Sequence, residues 1–367
     1  MEVNTIQERR HFHTFDALRF LAFFKVFLLH IPITAFPWFN YLRAGGGIGV
    51  QFFFVLSGFL ITYIIVDEQQ RKGQFNLKHF FVRRILRIWP LYYLMIGVAF
   101  AMPFIIQQVF HVPPSGEGYQ PQWWKSLLFL ENYKMMATGE HPNVSPLGVM
   151  WSLCIEEHFY IAWGLLLYFF KKHIPAIIGI SIIVGILSRY VYAVKGIPAL
   201  DILTNIDLFA YGAIPGYMLA SNHNKTESRI LAIPHTVKYL LATFTIAAVI
   251  VCSQYTGDEF VFIGLTSLLG ILFSLIIIFT LPRSTSFSIS DKNILSKLGI
   301  YTYGLYMYHT LVINLLLKLF PGTGLDIDTG LGAFVFISLS LLFTIGCSMV
   351  SYHLFEKRFL KLKRYFR

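Results

Sequence analysis

FVFIGLTSLLGILFSLIIIFTL, residues 260–281, runs for 22 residues without one charged side chain. The hydrocarbon core of a bilayer takes roughly 20 helical residues to cross. The stretch is therefore expected to be a transmembrane helix. Nine further apolar stretches of comparable length lie at 15–35, 47–66, 89–110, 148–170, 174–194, 202–220, 236–253, 296–319 and 331–354. An eleventh, Trp123 to Tyr133, is too short to cross. It reads as a short re-entrant or interfacial helix within the loop 111–147, where Pro113, Pro114, Gly116 and Gly118 mark turns. Composition agrees with this pattern. Of 367 residues 56% are hydrophobic and 13% charged, about half the charged fraction of soluble domains, and the mean hydropathy is +0.60. Too few charges exist to cover a water-facing surface, and 36 Phe, 20 Tyr and 6 Trp exclude a solvated coil. The fold class expected is an all-α integral membrane protein of ten transmembrane helices.

Charge fixes the orientation. With the N-terminus in the cytoplasm, 22 of the 30 Lys and Arg fall in inside segments, four fall in outside loops, and four lie within spans. The inside set includes Arg9 and Arg10, six in 67–87, three in 282–297 and six in 356–367. Such a bias puts both termini in the cytoplasm with an even number of crossings. The net charge of +11 then reports cytoplasmic loops against anionic headgroups, so membrane lipids rather than nucleic acid are the expected partner. No cleavable leader is read in the first span, which carries Arg19 and Lys25. The organisation expected is a cytoplasmic segment 1–14, one transmembrane domain 15–355 and a basic cytoplasmic tail 356–367. Cys154, Cys252 and Cys347 all lie in apolar stretches, so neither a disulfide framework nor a metal site is expected.

An ionisable side chain inside a bilayer costs about 2.5–3.5 kcal/mol on insertion scales and so asks for a function. Arg19 and His30 stand eleven residues apart in the first span. At 100° per residue that is three full turns plus about 20°, so both lie on one helix face, about 16 Å apart along the axis. A permanently charged guanidinium suits a phosphate or carboxylate, and a histidine suits general-base work near neutral pH. A structural Asp16–Arg19 pair and a packed histidine would also account for the pattern. Lys25 lies off that face and is read as snorkelling or capping. In the span 148–170, Glu156 and Glu157 point about 100° apart, so one of them could face a polar cavity or pair with a buried cation such as Arg189. Arg84 and Arg87 in FFVRRILRIWP, residues 80–90, read as a phosphate clamp at a helix entrance or as an ordinary positive-inside anchor. His309, alone, reads as a packed core histidine. No GxSxG, Walker A, HExxH or GxGxxG signature is present.

FDALRFLAFFKVFLLH (15–30), GVQFFFVLSGFLIT (49–62), RRILRIWPLYYL (83–94), WSLCIEEHFY (151–160), YGLYMYHTLV (303–312) and SYHLFEKRFL (351–360) together resemble the acyltransferase-3 family of bacterial membrane O-acyltransferases. The resemblance covers nearly the whole chain. It puts the family's arginine-x10-histidine signature on Arg19 and His30, its RxxR pair on Arg84 and Arg87, and its glutamate on Glu156. Gln51 stands where an acidic residue is usual, and Arg358 where a proline is common. The resemblance implies transfer of an acyl group, acetyl by default, from cytoplasmic acyl-coenzyme A to a hydroxyl of a cell-surface glycan or glycan precursor. No permanently bound cofactor is implied, the acyl-coenzyme A being a substrate. Arg84, Arg87 and Arg19 would hold this polyanion, or Arg19 would polarise the thioester carbonyl. His30 would act as general base, or as an acyl carrier, and Glu156 would orient it. Some members carry a fused extracytoplasmic hydrolase-like domain; the chain stops eleven residues past Glu356, so a stand-alone enzyme of the bacterial cytoplasmic membrane is expected. The alternative is a multi-span transporter or exporter of a glycan or small anion, with the same residues lining its path.

Overall fold

A computed structural model describes residues 10–110, 118–282, 285 and 287–366. Pro113, Pro114 and Gly116 of the turn-rich loop, and Arg9, Arg283 and Arg367 of the basic set, lie outside them. Among the described residues the regular elements are all helices, with no strand. Ten helices among the described residues reach 18 residues: α1 (His13–His30), α2 (Gly47–Lys72), α3 (Leu77–Phe110), α4 (Trp151–Phe169), α5 (Ile174–Lys195), α6 (Ile202–Ser221), α7 (His235–Gln254), α8 (Glu259–Phe279), α9 (Thr302–Leu319) and α10 (Gly330–Ser351). Their ends follow local chemistry. Asp201 and Thr204 form a reciprocal capping box at the start of α6, Asp258 accepts from the amides of Phe260 and Val261 ahead of α8, and Gly73 and Gly196 close α2 and α5 in the left-handed conformation.

Among the described residues six helical segments are long and apolar enough to cross a membrane; they take in α2, α5, α7, α8, α10 and most of α3. The other four long helices hold Asp16, Arg19 and His30 (α1), Glu156 and Glu157 (α4), Asp207 (α6) and His309 (α9). Large apolar side chains such as Ile180, Phe244, Ile246, Val251 and Phe334 are exposed on the outer helices, a coat suited to lipid and not to water. This is a multi-pass membrane protein.

Lipid tails are as apolar as leucine, so close backbone approach rather than the hydrophobic effect must hold such helices together. The contact of α2 with α6 shows how. A Cβ on Gly212 would lie 1.8 Å from the Val55 carbonyl oxygen, and one on Gly58 would lie 1.9 Å from that of Phe209. Beside this seam Phe159 stacks on Phe209 with ring centroids 3.9 Å apart, and Phe54 stacks at 4.7 Å on Phe209. Gly212→Val is expected to cost about 3 kcal/mol, as overpacking does, and to lower the thermal midpoint of the purified protein. Gly264→Val, where an added Cβ meets nothing within 4 Å, is the control, and equal midpoints for the two variants would contradict the seam.

Several boundaries differ from the hydropathy reading. The third stretch, expected to begin at 89, begins at Leu77, because Asn76 starts the helix by accepting from the His79 amide at 2.9 Å. Pro90, which looks like a boundary, lies inside the helix, as prolines in membrane helices do when neighbours re-satisfy the freed carbonyl. The stretch 296–319 is broken into a short helix, Ile294–Gly299, and α9. The C-terminal residues continue α10 through a π-helical turn, Tyr352–Glu356, into Lys357–Leu362, and then fold back on α3, where Arg83 donates to the Phe366 carbonyl at 2.6 Å. The Trp123–Tyr133 piece is two short helices, Trp123–Leu127 and Glu131–Thr138, hinged at Phe129, whose φ is 57°. Buried Glu131 holds this cap by accepting from Tyr119 at 2.5 Å and Ser126 at 2.6 Å.

Candidate functional site

The first turns of α1 and α9, the front of α3 and the first halves of α2 and α4 enclose a cavity of about 150 Å³. Asp16, Arg19, Arg84, Arg87, Glu156 and Tyr303 are among its lining residues. It therefore gathers four of the five singled-out residues, Arg19, Arg84, Arg87 and Glu156, from three helices. The short helix Ile294–Gly299 sets the position of α1: a Cβ on Gly299 would lie 1.8 Å from the Asp16 carbonyl oxygen.

The charges in this cavity do not cancel. Arg19 pairs with Asp16 one turn earlier, and the neighbouring Arg83 is buried against Glu68 at 2.9 Å. Arg84 and Arg87 have no carboxylate within ion-pair distance among the described residues. Arg84 stacks instead over the Phe80 and Tyr160 rings, 5.7 and 5.6 Å from their centroids, and its Nε is buried without a hydrogen bond. Arg87 is exposed at the cavity mouth. Two guanidiniums one turn apart, one of them fixed by aromatic faces, form a place where an anion is expected to enter.

Glu156 and Glu157 diverge as their spacing requires. Glu156 faces the cavity and accepts from the Tyr160 hydroxyl at 2.8 Å and Ser57 at 3.1 Å. Glu157 points away toward the Trp89 indole. Neither pairs with Arg189, whose partner is the buried Asp207 of α6. Lys25 caps the short helix Pro37–Arg43, donating to the Leu42 and Ala44 carbonyls, each at 2.7 Å.

His30 lies at the far end of α1, outside this cavity. Its Nδ1 is 2.9 Å from the Val26 carbonyl oxygen and 3.3 Å from Nε2 of His309. The two imidazoles meet edge to face with centroids 4.9 Å apart. Glu156 is hydrogen-bonded elsewhere, so the expected Glu156–His30 contact gives way to a His309–His30 contact. Arg19 and His30 do share the α1 face that looks onto α9: Arg19 opens into the cavity beside Tyr303 and Tyr306, and His30 meets His309 on the next turn. Between the two ends the Tyr306 hydroxyl is 2.7 Å from Ser152 Oγ. Just past His30, Arg43 donates to the Leu29 and Ile33 carbonyls.

Sequence reasoning undervalues His309, because a lone histidine on an apolar helix has no partner visible along the chain. The signal available is its place one turn beyond Tyr303 and Tyr306, on the polarised face of α9. It also misses an exposed group, His11, His13 and Asp291, whose potential ligand atoms lie within 4.8 Å of one another. The model of the acyltransferase-3 family, described as an acyltransferase domain, matches residues 12–353. The peptidoglycan O-acetyltransferase OatA of Listeria monocytogenes is 29% identical over 331 residues, covering 86% of this chain and 51% of that protein. YrhL of Bacillus subtilis, provisionally named for the same activity, is 28% identical over 376 residues, covering 96% of this chain and 55% of that protein. The chain thus spans about half the length of the curated relatives it matches. No solved structure matches it. With six motif blocks in order and a family match over almost its full length, the chain belongs to the acyltransferase-3 family.

Proposed function

We propose that the protein is a membrane O-acetyltransferase, moving an acetyl group from cytoplasmic acetyl-coenzyme A to a hydroxyl of a cell-surface glycan. Peptidoglycan is the acceptor that the names of its relatives suggest. The observation that carries this reading is the cationic cavity, in which Arg84 and Arg87 lack carboxylate partners among the described residues, joined through α1 to a histidine three turns away. In this reading all ten long helices cross the bacterial cytoplasmic membrane and both termini are cytoplasmic, in line with the distribution of Lys and Arg.

Each residue then has a part. Arg84 and Arg87 bind the phosphates of the donor and Arg19 holds the donor deeper in the cavity. In this reading the axial gap of about 16 Å between Arg19 and His30 separates Arg19 from the reacting carbonyl and fits a span for the thin pantetheine arm. Glu156, tied to Tyr160 and Ser57, forms part of the wall of the donor end. At the far end His30 takes the proton from the acceptor hydroxyl, the oxygen attacks the thioester carbonyl carbon, and the C–S bond breaks. The proton on His30 passes to the coenzyme A sulfur, leaving an acetyl ester and free coenzyme A. The test is transfer of radiolabelled acetyl from acetyl-coenzyme A to peptidoglycan fragments by the full chain in proteoliposomes. Label in the fragments, released by mild base as acetate, supports the reading; glycan or anion transport without consumption of the donor overturns it.

A further inference from the structure

His309 is wholly buried, and the reaction outlined above gives it no part. Its ring packs edge-on against Phe23 at 5.8 Å and beside Tyr306 at 5.6 Å. Its Nδ1 lies 2.7 Å from the Tyr306 carbonyl oxygen and its Nε2 lies 3.3 Å from Nδ1 of His30. These contacts determine where the hydrogens are. A carbonyl oxygen only accepts, so Nδ1 of His309 carries its hydrogen and donates to Tyr306. In the neutral ring Nε2 of His309 is then a lone-pair acceptor, and it faces His30.

Nδ1 of His30 faces two acceptors, the Val26 carbonyl oxygen at 2.9 Å and Nε2 of His309. It therefore holds a hydrogen, and the free lone pair of His30 lies at Nε2.

We propose that His309 is the positioning residue of this site: it holds His30 in the Nδ1–H tautomer and so makes Nε2 the basic atom. This rests on His30 being the general base. When Nε2 takes the acceptor's proton, the Nδ1–H of the resulting imidazolium donates to His309 and to Val26, a charge-assisted arrangement stronger than the neutral one. A neutral imidazole thereby does what a carboxylate does in a serine-protease triad, orienting the base without receiving its proton.

The test is nitrogen-15 NMR of the histidine-labelled full chain in nanodiscs, with His30 assigned from its loss in His30→Ala, combined with acetyl-transfer kinetics. The wild type is expected to show His30 protonated at Nδ1. His309→Phe keeps the ring volume but removes the acceptor; a mixture of His30 tautomers and a kcat lower by about 10-fold or more, with the KM for acetyl-coenzyme A unchanged, are expected. His309→Gln is expected to restore most of kcat, because its amide can accept from His30 and donate to Tyr306. A wild-type His30 protonated at Nε2 overturns the inference, as does a glutamine variant no better than the phenylalanine one. Should His309→Phe fail to fold, the wild-type spectrum and the glutamine variant decide. Full transfer by His30→Ala, with the wild-type tautomer as described, would remove the base role of His30 and leave the hydrogen-bonded geometry standing, so the two failures are distinguishable.

Discussion

His30→Ala is expected to lower acetyl transfer by about 10²- to 10⁴-fold, the range over which a positioned general base contributes. Donor binding should hold within about threefold, which is under 1 kcal/mol. The reason is separation. His30 lies at the far end of α1, with its hydrogen-bond partners on Val26 and His309, and it does not line the cavity that holds Arg19, Arg84 and Arg87. An alanine there removes the base without disturbing the cationic end. Titration of acetyl-coenzyme A against the protein in nanodiscs, alongside kcat, reads the two quantities separately. A variant that loses donor affinity and transfer together would mean that His30 belongs to the docking site.

The complementary variant removes the charges at the other end. Hydrogen bonds to charged groups contribute about 1.5–3 kcal/mol each, so Arg84→Met with Arg87→Met is expected to weaken acetyl-coenzyme A binding by about 100-fold or more. At saturating donor the turnover number should fall far less. Neither guanidinium is tied to a carboxylate among the described residues, and Arg84 lies over the Phe80 and Tyr160 rings. The thermal midpoint is therefore expected to stay close to wild type, because no ion pair is broken. Arg84→Lys is not a conservative change here: an ammonium cannot lie flat on Tyr160 and Phe80 or present a planar fork to a phosphate. Unchanged donor affinity in the double methionine variant would show the pair to be a positive-inside anchor.

Hydropathy and spacing carry most of the architecture. Each of the ten apolar stretches overlaps one long helix, because long apolar runs have few alternatives in lipid. Boundaries are less legible. Leu77 to Ile88 is too charged to register as a span, so Arg83, Arg84 and Arg87 look like a loop although Asn76 has already started the helix. The break between Ile294–Gly299 and α9 comes from packing on α1 at Asp16, a contact that no local pattern announces.

The candidate site is legible in the same graded way. Eleven residues of helical spacing are enough to align Arg19 with His30, and their common outlook onto α9 follows. Which residues meet across helices is not encoded in spacing. Glu156 could have reached His30 as well as Ser57, and only the placement of α9 beside α1 gives His30 to His309. The Arg189–Asp207 pair is hidden for the same reason: its members stand on α5 and α6, eighteen residues apart, with an intervening turn.

The most direct measurement uses radiolabelled acetyl-coenzyme A with the purified full chain in nanodiscs, following bound donor and released coenzyme A in the same sample. Saturable binding that is retained in His30→Ala, with coenzyme A release confined to the wild type, is the predicted result. Absence of both binding and release in the wild type, with longer acyl-coenzyme A donors equally inert, would contradict a donor site at Arg84 and Arg87 and favour a transport path through the same residues.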